Sequence, residues 1–295
     1  MAQILDGRIV RDKIREDLKI QISKLKTKPK LIIIQVGDIA ESNTYIGQKI
    51  KFGEKIGAIV DLKKFPANVS EEILKLSIIN LNSSGSVHGI IIQMPIPEHL
   101  NKDMLINTIN PQKDVDGLTT TNQKLLEENS PDALIPATAK AVITILTFYK
   151  IPIKNKKVAV VGRSKLVGAP VAILLRNLGA KVEVGHSKTL DLTAITKPAD
   201  IVVVAVGKPS LITKNHVSPG QTVIDVGINV VNDNEPSTMN HKRSLVGDVA
   251  FEEVSQIVEA ITPVPGGIGP LTVACLFENL LEAYKKQLAC PKPLT

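Results

Sequence analysis

Short apolar runs closed by glycine or proline alternate with stretches of helical period along most of this chain, and that rhythm restricts the fold more than any single motif does. Leu31 to Val36 stops at Gly37 and Asp38, and Val87 to Gln93 stops at Pro95 and Pro97. Runs of this length predict buried strands of a parallel sheet. Ahead of them Val10, Ile14, Leu18, Ile22 and Leu25 recur every three to four residues, which predicts a helix that ends before Pro29. A second helix is predicted from Asn43 to Lys55 with Gly57 as its stop, then a strand from Ala58 to Leu62, then a helix from Ile73 to Leu81 capped by Ser70. After Pro136 the pattern restarts with a helix from Ala139 to Phe148. Strands follow at Lys157–Val161, Lys181–Val184, Asp200–Val206 and Thr222–Val226, spaced as in a dinucleotide-binding domain. Leu271 to Leu288 reads as a long final helix. The expectation is an α/β protein of two α/β domains, the second Rossmann-like, with an active-site cleft between them.

Composition agrees with two domains: 295 residues exceed one typical compact unit, and 43% hydrophobic with 22% charged residues is ordinary globular usage. The longest apolar stretches, Leu31–Ile34 and Ile201–Val206, are far shorter than the roughly 20 residues of a bilayer span, so no membrane partner is expected. The first residues lack the pattern of a secretory signal, which implies a cytoplasmic protein. Cys275 and Cys290 are too few for a disulfide framework or a cysteine-built zinc site, and the five histidines show no metal spacing, so no metal is expected. The net charge of +7 raises nucleic acid as a partner, but 3% aromatics and no Trp argue against base stacking, and the lysines are dispersed. No nucleic-acid partner is expected.

Several segments can carry chemistry. The strand at Val158–Val161 runs through Gly162-Arg163-Ser164 into a helix with Gly168 in its approach, where a phosphate could meet backbone N–H groups. The glycine spacing is not GxGxxG and is weak alone. At the end of the next strand, where an NAD enzyme places an acid, stand Gly185-His186-Ser187-Lys188. Arg163 with Ser187, His186 or Lys188 suits a 2′-phosphate, which favours NADP over NAD. Tyr45 and Lys49 lie one turn apart on a helix face, and a desolvated Lys is a candidate acid/base, although most helical lysines are solvated surface. Gln93 at a strand's carboxyl end, Lys113-Asp114-Val115-Asp116-Gly117, and the stiff loop Thr262 to Pro270 are the further candidates. Asp116 can accept hydrogen bonds from a polar heterocycle, or be a solvated loop carboxylate.

Taken together these segments resemble the bifunctional methylenetetrahydrofolate dehydrogenase/methenyltetrahydrofolate cyclohydrolase family, over essentially the whole chain. Ser42 to Lys51 is similar to its S-x-x-Y-x-x-x-K-x-K segment, Gly89–His99 to GIIVQLPLPxH, Lys113–Gly117 to KDVDG, and Gly162–Pro170 to GRSxxVGxP. His186–Thr189 is similar to HSxT, Asp225–Asn229 to DVGIN, Gly247–Val249 to GDV, and Thr262–Thr272 to TPVPGGVGPMT. The resemblance implies that Lys49 is the catalytic acid/base, that Gln93 orients and tunes it, that Tyr45 stacks on the aminobenzoyl ring, and that Asp116, counted with the catalytic set, holds the pterin. It implies that Gly162, Arg163, Ser164, Ser187 and Ile228 line NADP, and that Pro265, Gly266 and Gly267 close over the substrate. It further implies a homodimer, and a folate domain of residues 1–138 plus 271–295 beside an NADP domain of residues 139–270. The implied activity is oxidation of 5,10-methylenetetrahydrofolate followed by hydrolysis of the methenyl product. A dehydrogenase without cyclohydrolase activity, or a binding protein that has lost catalysis, are the alternatives. Ala137 and Ala139, Lys124 and Gly185 depart from the family pattern.

Overall fold

The computed structural model describes residues 2–232 and 243–289. In chain order the elements begin with β1 (Gln3–Ile4), α1 (Gly7–Ser23), β2 (Lys30–Val36), α2 (Ala40–Ile56), β3 (Ile59–Phe65), α3 (Glu71–Ser83) and β4 (Gly89–Ile92). They continue with α4 (Lys102–Thr108), α5 (Thr120–Glu127), α6 (Ala137–Phe148), β5 (Lys157–Val161), α7 (Gly168–Asn177), β6 (Lys181–Gly185), α8 (Thr193–Thr196), β7 (Ile201–Val204) and β8 (Thr222–Asp225). The remainder are β9 (Asn229–Asn232), β10 (Arg243–Val246), α9 (Phe251–Val254), β11 (Ala260–Ile261) and α10 (Ile268–Ala289). Among the described residues no helix is long and apolar enough to cross a membrane.

The chain divides into two compact units. One combines Asp12–Ala137 with the chain from Val273 onward; the other combines the residues up to Arg11 with Thr138–Thr272. This corrects the expected 1–138 domain at its start. Residues Gln3 and Ile4 form an edge strand parallel to Ala260 and Ile261 and so belong with the dinucleotide-type unit. A two-residue strand has no periodicity to read, and its partner lies at the far end of the sequence.

In the first of these units a three-stranded parallel sheet has the order β3-β2-β4. Leu31 to Val36 are all buried because helices cover the central strand on both faces. On one face Ile32, Ile34 and Val36 pack with Leu74 and Ile78 of α3 and Leu105 and Ile106 of α4. On the other, α2 approaches closely: a Cβ on Gly53 would collide with Val60 of β3 and press on Phe277 of α10. Gly57 ends α2 at φ 81°, the left-handed conformation that makes glycine the stop residue. The final helix locks this unit. Asn279, 1% exposed, donates to the carbonyls of Val115 (2.9 Å) and Ile135 (2.7 Å), and the buried Tyr284 donates its hydroxyl to the Thr27 carbonyl at 2.9 Å. The helix starts at Ile268 rather than the expected Leu271, so Gly269 and Pro270 lie in its first turn. Proline is tolerated there because a first-turn N–H has no intrahelical acceptor.

The second unit holds a six-stranded sheet of order β1-β11-β8-β7-β5-β6, parallel throughout, and the separate antiparallel pair β9-β10. From β5 the chain adds β6 on one side and then crosses to β7 on the other. That reversal opens a crevice at the carboxyl end of β5, the usual ligand position in such sheets. Cys275 is buried, whereas Cys290 lies outside the described residues. Three of the sequence departures are absorbed by packing. Ala137 and Ala139 are core residues of α6, and a Cβ on Gly185 would collide with Leu192 and Ile195. Lys124 is exposed on α5.

Asn279→Ala is expected to lower the unfolding free energy by about 2 kcal/mol, because two buried carbonyls lose their donor. A urea unfolding curve at constant slope checks it; a midpoint unchanged from the parent would mean that the two Asn279 bonds add nothing net to stability.

Candidate active site

The chemistry expected in the first unit converges at the carboxyl ends of β2 and β4. Lys49 projects from the third turn of α2, half-buried, and donates from Nζ to Gln93 Oε1 at 2.7 Å. Gln93 follows β4; its backbone N–H donates to Ile34 (2.8 Å), and its Nε2 donates to the adjacent Met94 carbonyl (2.8 Å). Those two bonds orient the amide so that its oxygen faces Lys49, the only arrangement a donor-only ammonium accepts. Burial pushes the Lys49 ammonium below its ordinary pKa, and the negative charge of Asp116 works against that shift. Burial raises the Asp116 carboxyl, with Lys49 pulling it down and Asp114 pushing it further up. Both partners are thereby moved toward their neutral forms, a condition that favours proton exchange.

The segment Lys113–Gly117 divides its labour. Lys113, 6% exposed, donates from Nζ to the carbonyls of Leu81 (3.1 Å) and Ser84 (2.6 Å). Asp114, 1% exposed, accepts from the N–H groups of Leu118 (3.1 Å) and Thr119 (2.8 Å) and from Asn122 Nδ2 (2.9 Å). These two residues hold the loop. Asp116 receives no hydrogen bond from the described residues, so its carboxylate keeps its acceptor capacity for another donor. Gly117, at φ 70°, sits where a Cβ would strike the Leu134 carbonyl and the Pro136 nitrogen. Tyr45 lies one turn before Lys49 on α2, half-buried, and burial raises its phenol, which keeps the ring neutral.

In the second unit the residues expected to bind a dinucleotide cluster at the carboxyl ends of β5, β6 and β8. Gly162, at φ 121°, makes the turn out of β5, where a Cβ would strike the Ala205 carbonyl. Gly168 opens α7 where a Cβ would strike the Gly162 carbonyl, so both glycines are needed for the helix start to approach the strand. Ser164 Oγ accepts from Val167 N–H at 3.2 Å, and Arg163 and Ser164 are exposed. After β6 the loop closes on itself, with His186 N–H donating to Thr189 Oγ1 (3.0 Å) and Lys188 N–H to His186 Nδ1 (3.1 Å). That leaves Ser187 outward and exposed; no carboxylate stands at this strand end. Ile228 is 40% exposed.

Two buried aspartates, which stand in the DVGIN-like and GDV-like segments but receive no role from the motifs, shape these loops. Asp248, fully buried, accepts from the N–H groups of Val206 (2.7 Å), Gly207 (2.9 Å) and Lys208 (2.8 Å) and from Asn229 Nδ2 (2.9 Å). Asp225 accepts from the N–H groups of Gly227, Asp248 and Val249. Burial pushes Asp225 up to about 7, against the pull of those three donors. The signal was available: two acids in apolar contexts, each followed within two residues by glycine or valine rather than by other charges. Pro265, Gly266 and Gly267 lie in this second unit, with Gly7 N–H donating to the Gly266 carbonyl at 2.9 Å. Among the described residues no group of three or more His, Cys, Asp or Glu could hold a metal.

Two family models cover most of the sequence: the tetrahydrofolate dehydrogenase/cyclohydrolase catalytic domain over residues 5–116, and the NAD(P)-binding domain of the same family over residues 136–288. The chain belongs to the tetrahydrofolate dehydrogenase/cyclohydrolase family. Among its relatives, the bifunctional protein FolD of Acholeplasma laidlawii is 42% identical over 284 residues, spanning 96% of this chain and 99% of the relative. The crystal structure of the bifunctional FolD enzyme from Campylobacter jejuni superposes with a TM-score of 0.91 at 38% identity, covering 97% of this chain and all of that one. The Trypanosoma brucei FolD structure, solved with NADP cofactor and an inhibitor, gives 0.92 at 37% identity, covering 97% and 98%. Membership in the family accounts for the two-domain α/β architecture and for the Rossmann-like second unit.

The sign of the Lys49–Asp116 coupling is testable without turnover. Asp116→Asn removes the charge that favours the ammonium, so Lys49 should lose its proton at lower pH than in the parent. The pH at which Lys49 becomes reactive toward an amine-selective reagent, read by peptide mass spectrometry, should fall. An upward move would show that Asp116 does not act on Lys49 through its charge.

Proposed function

We propose that this chain oxidises 5,10-methylenetetrahydrofolate to 5,10-methenyltetrahydrofolate with NADP and then hydrolyses the product to 10-formyltetrahydrofolate. The observation that carries this reading is the 2.7 Å bond from Lys49 Nζ to Gln93 Oε1, made where burial lowers the lysine's proton affinity. Asp116, with its acceptor capacity open, binds the amino-pyrimidine edge of the pterin, and Tyr45 stacks on the aminobenzoyl ring. In the hydrolytic step the neutral Lys49 amine takes a proton from water as its oxygen attacks the methenyl carbon. The resulting ammonium returns that proton to the pterin nitrogen as the carbon–nitrogen bond breaks, while the adduct's hydroxyl loses its own proton to solvent and its oxygen closes the carbonyl, which leaves the formyl group on the other nitrogen. Gln93 holds the amine in place through both transfers.

The second unit fits a dinucleotide. The Gly162 and Gly168 positions leave no room for a Cβ, so backbone N–H groups reach a bound phosphate closely, and the N-cap residue of α7, Val167, places no side-chain cap in the way. Arg163 and Ser187 supply a cation and a hydroxyl where NAD enzymes carry an acid, which supports NADP as the partner. When bound, the cofactor supplies the hydride acceptor. Gly162, Ser164 and Ile228 would line it.

Mixing the purified protein with 5,10-methylenetetrahydrofolate and NADP should give reduced cofactor with little methenyl build-up. Methenyl accumulation would instead reduce the reading to a dehydrogenase alone, and no reduction with either cofactor would overturn it. Lys49→Met should lower the cyclohydrolase rate by about 100-fold or more, with the melting temperature kept or raised because a buried amine is gone; a retained rate would remove Lys49 from the role.

Cofactor choice has its own check. Arg163→Ala combined with Ser187→Ala should raise the KM for NADP by about tenfold or more, the worth of a charge-assisted contact, and leave the KM for NAD nearly unchanged. Equal effects on the two cofactors would mean that neither side chain meets the 2′-phosphate.

A further inference from the structure

We infer that Gln35 is a substrate-positioning residue that acts through Asn43 on the first turn of α2 and so on Tyr45; this rests on the folate reading of the Lys49 site. Gln35 interrupts an otherwise apolar central strand and is 2% exposed. It stands one residue beyond the Ile34–Ile92 pair in the parallel β2–β4 register, beside Gln93, whose N–H donates to the Ile34 carbonyl. Neighbours at one level of a parallel sheet face the same side, so two glutamines point together at α2. Gln93 ties the third turn through Lys49. Gln35 ties the first turn, donating from Nε2 to Asn43 Oδ1 at 2.7 Å, while Asn43 Nδ2 donates to Asp38 Oδ1 at 2.8 Å.

That tie matters because the start of α2 lacks a side-chain N-cap, so its first turn depends on contacts made by Asn43 and Ser42. Its N-cap position is Ile39, with no side-chain cap bond, and besides the Asn43 contacts Ser42 reaches across, to the Met94 carbonyl at 3.3 Å. Tyr45 follows Asn43 by two residues, whereas Lys49 keeps its own tether to Gln93. Release of the first turn therefore displaces Tyr45 more than Lys49.

The energetics separate positioning from support. Gln35 Oε1 is buried and accepts no hydrogen bond, so the strand carries the desolvation cost of one amide oxygen for a single bond to an exposed partner. An apolar residue of like volume removes that cost, and stability is held or gained. The same oxygen is covered, which excludes direct contact with a ligand and leaves action through Asn43. A side chain that costs stability and fixes the turn ahead of a binding residue has the marks of a functional compromise.

The test compares parent, Gln35→Met, Asn43→Leu and the double variant by calorimetric titration with tetrahydrofolate, steady-state kinetics and thermal melting. Gln35→Met should weaken tetrahydrofolate binding and raise the folate KM about three- to tenfold, change kcat less than KM, leave the NADP KM unaltered, and keep or raise Tm. Asn43→Leu should reproduce the loss of affinity, and the double variant should be no worse than either single one. A lowered Tm with unchanged folate affinity, or additive losses in the double variant, would overturn the inference. If the parent itself fails to bind tetrahydrofolate, the folate reading falls and this inference with it; parent binding matched by Gln35→Met overturns this inference alone.

Discussion

A strand buried on both faces can present chemistry only at its end. In each unit of this chain the central strands are parallel and covered by helices, so their side chains are committed to packing until the sheet stops. Gln35 and Gln93 lie where β2 and β4 run out, Gly162 and Arg163 where β5 does, Ser187 just past β6, and Asp225 on the last residue of β8. Because all the strands of a sheet point the same way, their ends fall on one edge, and polar groups distant in sequence gather there without any of them being buried in mid-core.

The polar residues at these edges fall into two kinds. Lys113, Asp114, Asp248 and Asn279 are buried with several hydrogen bonds each, which stiffen loops that would otherwise be free to move. Lys49, Gln93 and Asp116 are arranged differently. One bond joins the first two, burial moves the charged groups toward neutrality, and the aspartate keeps its acceptor capacity. Saturated networks hold a shape, whereas an incompletely satisfied one binds and exchanges protons. The two kinds sit side by side within Lys113–Gly117, where the sequence alone shows only two similar carboxylates.

Much of the fold was legible as periodicity. The runs at Leu31–Val36 and Lys157–Val161 and the helix ending at Gly57 are strong local signals, since a buried strand and a glycine-stopped helix both follow from short-range preferences. Less legible were β1 and β11, each two residues long, which exist because neighbouring strands supply their hydrogen bonds, and α8 and α9, whose four residues are too few to show a helical period. The start of α10 inside a Pro- and Gly-rich stretch was misjudged for the same reason: packing overrides poor helix propensity there. Gln35 was read past as part of an apolar run, although a polar residue inside such a run is itself the clue.

By itself the sequence determined the parallel α/β class, the family, and the residue types at the candidate site, because those depend on local periodicity and on motifs contiguous in the chain. Only the tertiary structure decided that the amino-terminal strand joins the dinucleotide unit and that Asp114 and Lys113 support a loop while Asp116 stays open. It also decided that Lys49 meets Gln93 at 2.7 Å with Gln35 beside it. Those outcomes turn on desolvation and on hydrogen-bond partners contributed from remote segments, and neither quantity exists until the chain has closed on itself.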